Sequence, residues 1–178
     1  MVGVVDLREV ESLSKLSALA LHKCCSDAIY INLDLPSKLT WYTLRLGREA
    51  DNERLPKGRY DKNIALEVTG TAPLVDWICH MLKESELVHS IGKGSINMLT
   101  ELQLNEFQNV KDLSLSKCDL VTHLLKTTYE VIKFPNLYNL DLACLECLTH
   151  FCSATIEGIE FPRLHNMYLG GLPELQTF

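Results

Sequence analysis

The sequence has no apolar run that reaches the roughly 18 residues of a membrane-spanning helix. It has no basic excess either, because 17 Lys and Arg against 23 Asp and Glu give a net charge of −6 at pH 7. This charge argues against a nucleic-acid partner. The fingerprints H-E-x-x-H, G-x-S-x-G and G-x-G-x-x-G are also absent. We therefore expect a protein that is not an enzyme and that uses no cofactor.

A secretory signal is lacking as well. The first residues, MVGVVDLREVE, have too short an apolar run and the wrong charges for a signal peptide, and there is no N-x-S/T glycosylation site. The seven cysteines are an odd number, which without a secretory signal favours reduced thiols in a reducing compartment. These absences predict a cytoplasmic protein.

The sequence does contain a repeat with an even period. The segments VKDLSLSKCDLVTHLL, LYNLDLACLECLTHF and LHNMYLGGLPELQTF begin at Val110, Leu137 and Leu164, which are 27 residues apart. Each has the spacing L-x-x-L-x-L-x-x-(C or L) of a leucine-rich repeat. The L-x-L pair places two side chains on one face of a short strand, and stacked coils bury these faces against one another. The pattern predicts an α/β leucine-rich-repeat solenoid, with short parallel strands on the concave face and loops and short helices on the convex face.

Earlier parts of the chain fit the template less regularly. Cys24 and Cys118 fall three residues after an L-x-L pair, where these repeats place Asn or Cys to hold the turn. Leu99 and Val110 are only 11 residues apart, so both cannot begin complete coils. We favour the register of Val110 and interpret the other segment as an abbreviated coil. The irregular segments are LSKLSALALHKC, WYTLRLG, NIALEVTG and LTELQLNEF.

Two inserts interrupt the repeats within one domain of residues 1–178. Residues 47–63 are dense in mixed charge, which predicts a solvated loop, or alternatively a contact loop that reaches over the edge of the solenoid. Residues of about 72–86 have helical apolar spacing, with Thr71 as a candidate N-cap and Pro73 in the first turn. We expect this helix on the convex side of a coil.

The pattern Cys144-x-x-Cys147-x-x-His150-x-Cys152 has the residue types of a zinc site. However, its second half follows after only two residues, which leaves too little chain to fold around an ion. The same segment also fits the repeat template. We therefore predict no metal site, with zinc binding by this cluster as the alternative.

The repeated F-P-x-L before the late strands is a further motif, at residues 134–137 and 161–164. With the segments LSKLSALALHKC and LPSKLTWYTLRLG, it resembles the leucine-rich-repeat region of plant intracellular disease-resistance proteins of the coiled-coil, nucleotide-binding type. The likeness extends over nearly the whole chain. It implies a module that recognises pathogen effectors or modified host proteins and that helps to restrain a nucleotide-binding switch module.

The chain departs from that family in lacking the switch module, because it has no phosphate loop and no sustained heptads. Only recognition and autoinhibition are therefore implied. Since the sequence stops in mid-pattern at residues 175–178, we expect a fragment of a larger receptor that is poorly soluble through its exposed ends. The alternative is a stand-alone repeat scaffold, such as the substrate adaptor of a ubiquitin ligase.

Residues that flank the buried L-x-L pairs are expected to point outward from the concave face. In the first repeat these are Ala18, Ala20 and His22, and Ala143 and Gly170 are small members of the later ones. An exposed aromatic side chain is a good interface anchor, and Tyr168 is the aromatic residue among these positions. The alternative is that these are ordinary solvent-facing residues. The candidate protein-binding residues are Asp112, Ser114, Ser116, Asn139, Asp141, Asn166 and Tyr168.

Overall fold

The computed structural model describes residues 15–23, 31, 33, 39–48, 50, 59–69, 73–92, 108–125, 131–152 and 158–176. The described elements, in chain order, are β1 (Ala18–Lys23), β2 (Trp41–Leu46), β3 (Lys62–Glu67), α1 (Asp76–Glu84), β4 (Leu87–Ile91), β5 (Asp112–Ser116), β6 (His123–Leu125), β7 (Val131–Lys133), β8 (Asn139–Ala143), β9 (His150–Cys152), β10 (Gly158–Glu160) and β11 (Asn166–Gly170).

Parallel strands stacked as a solenoid form the architecture. The main sheet has seven strands in the order β1-β2-β3-β4-β5-β8-β11, and every neighbouring pair is parallel. Strands therefore lie beside one another in the order in which the chain makes them. Because parallel neighbours require the chain to return to the same end each time, each strand opens a new coil.

The later coils repeat with the predicted period. Asp112 pairs with Asn139, and Asn139 pairs with Asn166, so each step advances 27 residues. The return paths follow the same spacing, with β6 beside β9 and β7 beside β10. The even period is thus confirmed. The return paths of these coils also contain the three-residue strands VIK and HFC, which pair with segments 27 residues away and were not among the loops and short helices expected there.

The core lies on one side of the main sheet, as side-chain alternation requires. Strands β5 and β8 alternate partly exposed and buried residues, and Leu115 and Leu142 are each 1% exposed. The F-P-x-L motif contributes Phe134, whose ring stacks on that of Phe161 with centroids 5.2 Å apart. The repeated leucines and phenylalanines therefore form one continuous ladder between coils.

Tight turns follow the strands of the main sheet. Lys117, Cys144 and Gly171 occupy equivalent positions and have φ values of 56°, 54° and 64°, in the left-handed region. Cys118, which follows Lys117, is fully buried. Its thiol donates a hydrogen bond to the carbonyl oxygen of Ser116, with an Sγ···O distance of 3.2 Å. Cys118 therefore packs inside the turn that follows β5, and Cys24 lies outside the described residues.

Helix α1 is shorter than its predicted span of about 72–86. It begins at Asp76 with Val75 at the N-cap, so Pro73 precedes the helix and does not lie in its first turn. Thr71, the predicted cap, lies outside the described residues. The apolar face that buries Trp77 and Ile78 agrees with the predicted spacing. No helix among the described residues is long and apolar enough to cross a membrane.

Two hydroxyl groups terminate this helix. The carbonyl oxygen of Met81 accepts hydrogen bonds from Tyr42 Oη and from Ser85 Oγ, each at 2.7 Å. The N–H of Ser85 instead donates to Leu82, so the Met81 carbonyl lacks the partner that a longer helix would supply. Burial raises the pKa of the Tyr42 phenol far above its ordinary value of 10. Tyr42 on β2 thereby fixes α1 against the sheet.

Strand β11 differs from the strands beside it, because its core-side residues are exposed. Met167 and Leu169 are 41% and 42% exposed, whereas their register partners Leu140 and Leu142 are 2% and 1% exposed. Strand β11 pairs with β8 on one side only. The apolar cross-section of the last described coil is therefore open to solvent.

Candidate functional site

All seven predicted binding residues lie on one face of the main sheet. We call this the open face, meaning the side opposite the buried leucines. The predicted residues stand on β5, β8 and β11, which are neighbours in the sheet, and they alternate with core residues along each strand. The register aligns them in three rows across the strands: Asp112, Asn139 and Asn166; Ser114, Asp141 and Tyr168; and Ser116, Ala143 and Gly170.

The row at the strand starts forms a directed hydrogen-bond chain. Asn166 Nδ2 donates to Asn139 Oδ1 at 2.7 Å, and Asn139 Nδ2 in turn donates to Asp112 Oδ1. The other carboxylate oxygen of Asp112 lies 3.6 Å from Arg59 Nη1. Each side chain thus orients the next, and the charge of Asp112 is neutralised inside the protein. This row is a rigid polar border of the open face.

Arg59, near the end of the charged insert, contacts this polar border. Its guanidinium carbon lies 5.3 Å from the ring centroid of Tyr60 and 5.6 Å from that of Tyr138. The Tyr138 ring stacks on His165 with centroids 5.1 Å apart. Burial and the neighbouring Asp112 carboxylate raise the pKa of Tyr60 to about 12. Arg59, near the end of residues 47–63, therefore contacts the residue that precedes β8, while residues 49 and 51–58 lie outside the described part.

The middle row contains the least satisfied charge of the face. Ser114 Oγ lies 3.4 Å from Asp141 Oδ2, which is a long hydrogen bond, and Asp141 Oδ1 is buried without a hydrogen-bond partner among the described residues. Beside it, Tyr168 is 61% exposed. A partly buried carboxylate and an exposed aromatic ring are thus adjacent at the centre of the predicted surface.

The open face becomes apolar and buried toward β3 and β4. There Ala65, Leu87 and Ile91 stand on the open side, yet they are 0%, 4% and 1% exposed. The partly exposed polar part of the face is therefore concentrated on β5, β8 and β11. Strand β4 itself was missed by the sequence analysis, because Ser90 occupies a core position where the template expects leucine.

A second polar feature, which the sequence analysis also missed, lies at the starts of the strands. It is a groove of about 500 Å³ that crosses the coils from β2 to β11, and we call it the rim groove. Its charges are largely paired internally, since Lys62 Nζ lies 3.0 Å from Glu84 and Lys111 pairs with Glu86. Its lining residues are Thr40, Asp61, Lys62, Glu84, Glu86, Asn109, Lys111, Asn136 and Arg163.

Glu86 gives the rim groove a pH dependence. Burial by itself would raise the pKa of Glu86, but hydrogen bonds from Lys111 and from the Asp61 N–H (2.9 Å) hold this pKa below its ordinary value of 4.5. A lowered folded pKa means stability that is present above the unfolded pKa and lost as the pH falls through the folded pKa.

We expect Glu86→Gln to lower the free energy of unfolding by about 1 kcal/mol at pH 7. The difference in the free energy of unfolding between Glu86→Gln and the wild type should disappear as the pH falls through the folded pKa of Glu86, because Glu86 is then neutral, as the glutamine is. Urea unfolding between neutral and acidic pH measures it. Glu160→Gln is the matched control, since Glu160 pairs with Lys133 on an exposed surface and should show no such gap. A gap that stays constant with pH would contradict the assignment.

The cysteine-rich segment does not converge on one point in the described part of the chain. Cys144 and Cys147 are exposed free thiols. His150 stacks on His123 with ring centroids 5.5 Å apart, and its Nδ1 lies 2.9 Å from Thr149 Oγ1. The described residues include no group of three or more His, Cys, Asp or Glu side chains placed to hold a metal ion. The side chain of Cys152 lies outside them.

Comparison with known proteins identifies no relative. No protein-family model matches the chain, and neither a curated protein nor a solved structure resembles it significantly.

Proposed function

We propose that this chain is a leucine-rich-repeat recognition module of a plant intracellular disease-resistance receptor. In this proposal it binds a pathogen effector or a modified host protein in the cytoplasm, and it helps to keep a nucleotide-binding switch module inactive. The single observation that carries the proposal is the alignment of all seven predicted residues on one side of three adjacent strands. The F-P-x-L motifs, whose phenylalanines stack between coils, support the repeat family.

The shape and stiffness of the open face favour a protein partner. Parallel strands lie about 4.8 Å apart, so the three rows extend over an area that suits a polypeptide surface. The hydrogen-bond chain from Asn166 to Asp112 fixes the border side chains before any partner arrives. Binding to a face that is already ordered costs less conformational entropy than binding to a flexible one.

The test is capture of proteins from leaf extract by the immobilised chain, quantified by mass spectrometry. We expect Asp141→Arg and Tyr168→Ala each to reduce the capture of specific partners at least about tenfold, because charge reversal and loss of an aromatic anchor both act at an interface centre. Glu146→Arg and Leu120→Ala are matched controls, since both residues are exposed on turns away from the open face. Equal capture by all four variants would refute the proposal.

A further inference from the structure

Tyr168 is a flat platform, because the residue two positions on has no side chain. A Cβ atom at Gly170 would lie 2.5 Å from Tyr168 Oη and 2.7 Å from its Cζ, so the ring packs directly on the glycine backbone. The equivalent positions in the two preceding coils, Ser116 and Ala143, have side chains that fill this space. Although the ring packs against the backbone, 61% of the residue remains exposed to solvent.

Asp141 provides a charge that the described part of the chain leaves uncompensated. It is the register partner of Tyr168 on β8, and no basic side chain of the described residues pairs with it. In contrast, Asp112 in the neighbouring row is paired with Arg59. The contact of Asp141 with Ser114 is long at 3.4 Å. The other oxygen, Asp141 Oδ1, is buried without a hydrogen-bond partner among the described residues, which costs free energy. A cationic group beside this carboxylate would compensate its charge.

An aromatic platform beside a carboxylate matches the chemistry of a basic side chain. A guanidinium group stacks on an aromatic ring and donates two parallel hydrogen bonds to a carboxylate, which a compact ammonium group does less well. Because Oδ1 is buried, a guanidinium group would bind the carboxylate through Oδ2, in place of the long Ser114 hydrogen bond. The net charge of −6 also attracts a basic segment at longer range.

We propose that the open face takes a basic side chain of its protein partner, arginine above all, between the Tyr168 ring and the Asp141 carboxylate. This inference deepens the proposed function and rests on it. Ala143, the register partner of Gly170 on β8, has a small side chain and leaves room for the partner backbone to lie close to the sheet. The partner is therefore a protein that presents an exposed arginine to this face.

The experiment uses random peptides displayed on phage and selected on the full-length chain. We expect arginine to be enriched in the selected sequences, with lysine second. Synthetic versions of these peptides are then titrated against the wild type and three variants. Asp141→Asn removes the charge, Tyr168→Ala removes the ring, and Gly170→Val displaces the ring while it leaves Tyr168 in the chain. Each should weaken binding at least about tenfold.

Two controls separate recognition from a change in fold. Glu146→Gln removes an exposed carboxylate from a turn off the face and should leave peptide affinity unchanged. Circular dichroism is the second control, because it checks that all variants are folded. In addition, changing the peptide arginine to glutamine should weaken binding to the wild type more than binding to Asp141→Asn, and a double-mutant cycle measures this difference.

The outcomes distinguish the two proposals. Arginine-containing peptides that are sensitive to all three open-face variants support the inference. Peptides that lack basic residues, yet lose affinity for Asp141→Asn or Tyr168→Ala, overturn the inference and leave the proposed binding face standing. If no peptide is enriched, or if the enriched peptides bind every variant equally, both the inference and the assignment of the open face are overturned.

Discussion

Leu142→Ala should lower the free energy of unfolding by about 3 kcal/mol, whereas Leu169→Ala should lower it by less than about 1 kcal/mol. The two leucines occupy the same position in consecutive coils and pair in register. Leu142 is 1% exposed between two coils, but Leu169 is 42% exposed on the last described strand. Only the first substitution therefore leaves a cavity between packed layers.

Urea unfolding followed by circular dichroism measures both losses, and Leu115→Ala gives a second fully packed reference at 1% exposure. Losses of similar size at Leu142 and Leu169 would contradict this prediction. They would mean that the exposed end is covered in solution, and sedimentation at several protein concentrations would show whether a second copy covers it.

Trp77→Ala should be equally severe, with a loss of about 3–5 kcal/mol. The indole is 5% exposed on α1, and its Nε1 donates to the carbonyl oxygen of Ile31 at 2.7 Å. It therefore connects the helix to a distant part of the chain through both packing and a hydrogen bond. Trp77→Phe keeps much of the ring but leaves the Ile31 carbonyl without this donor, so we expect about 1–2 kcal/mol.

The contrast with Trp41 provides the control. Trp41 is 39% exposed at the start of β2, and Trp41→Ala should change stability by less than about 1 kcal/mol. Because Trp41 and Trp77 are the two tryptophans of the chain, the tryptophan fluorescence of this variant during urea unfolding comes from Trp77 alone. Equal destabilisation by Trp41→Ala and Trp77→Ala would mean that α1 is not anchored in the way the structure shows.

Most strands of the main sheet were predictable because their core positions follow L-x-L or a close equivalent. Strands β5, β8 and β11 were the most secure, since the 27-residue period fixes their register as well as their existence. Strand β4 was missed for a local reason. Its core positions are Val88 and Ser90, and a buried serine breaks the apolar pattern that marks the other strands.

The predicted binding residues were placed on one face by alternation alone, and the structure puts them there. The contacts that distinguish them depend on other parts of the chain. Arg59 comes from the charged insert, yet it neutralises Asp112 and covers Tyr138. The rim groove also combines residues from several coils, and no local pattern marks it. Such contacts depend on how coils stack, which side-chain periodicity does not specify.

The sequence by itself determined the repeat, its period, the buried leucine ladder and the side of each late strand that faces outward. These follow from spacing, because alternation along a strand and an even repeat are local properties. Only the tertiary structure decided that Asp112 pairs with Arg59 while Asp141 has no basic partner among the described residues, that Tyr168 packs against Gly170, and that the last described strand has an exposed core side. These depend on which residues of other coils come within contact distance.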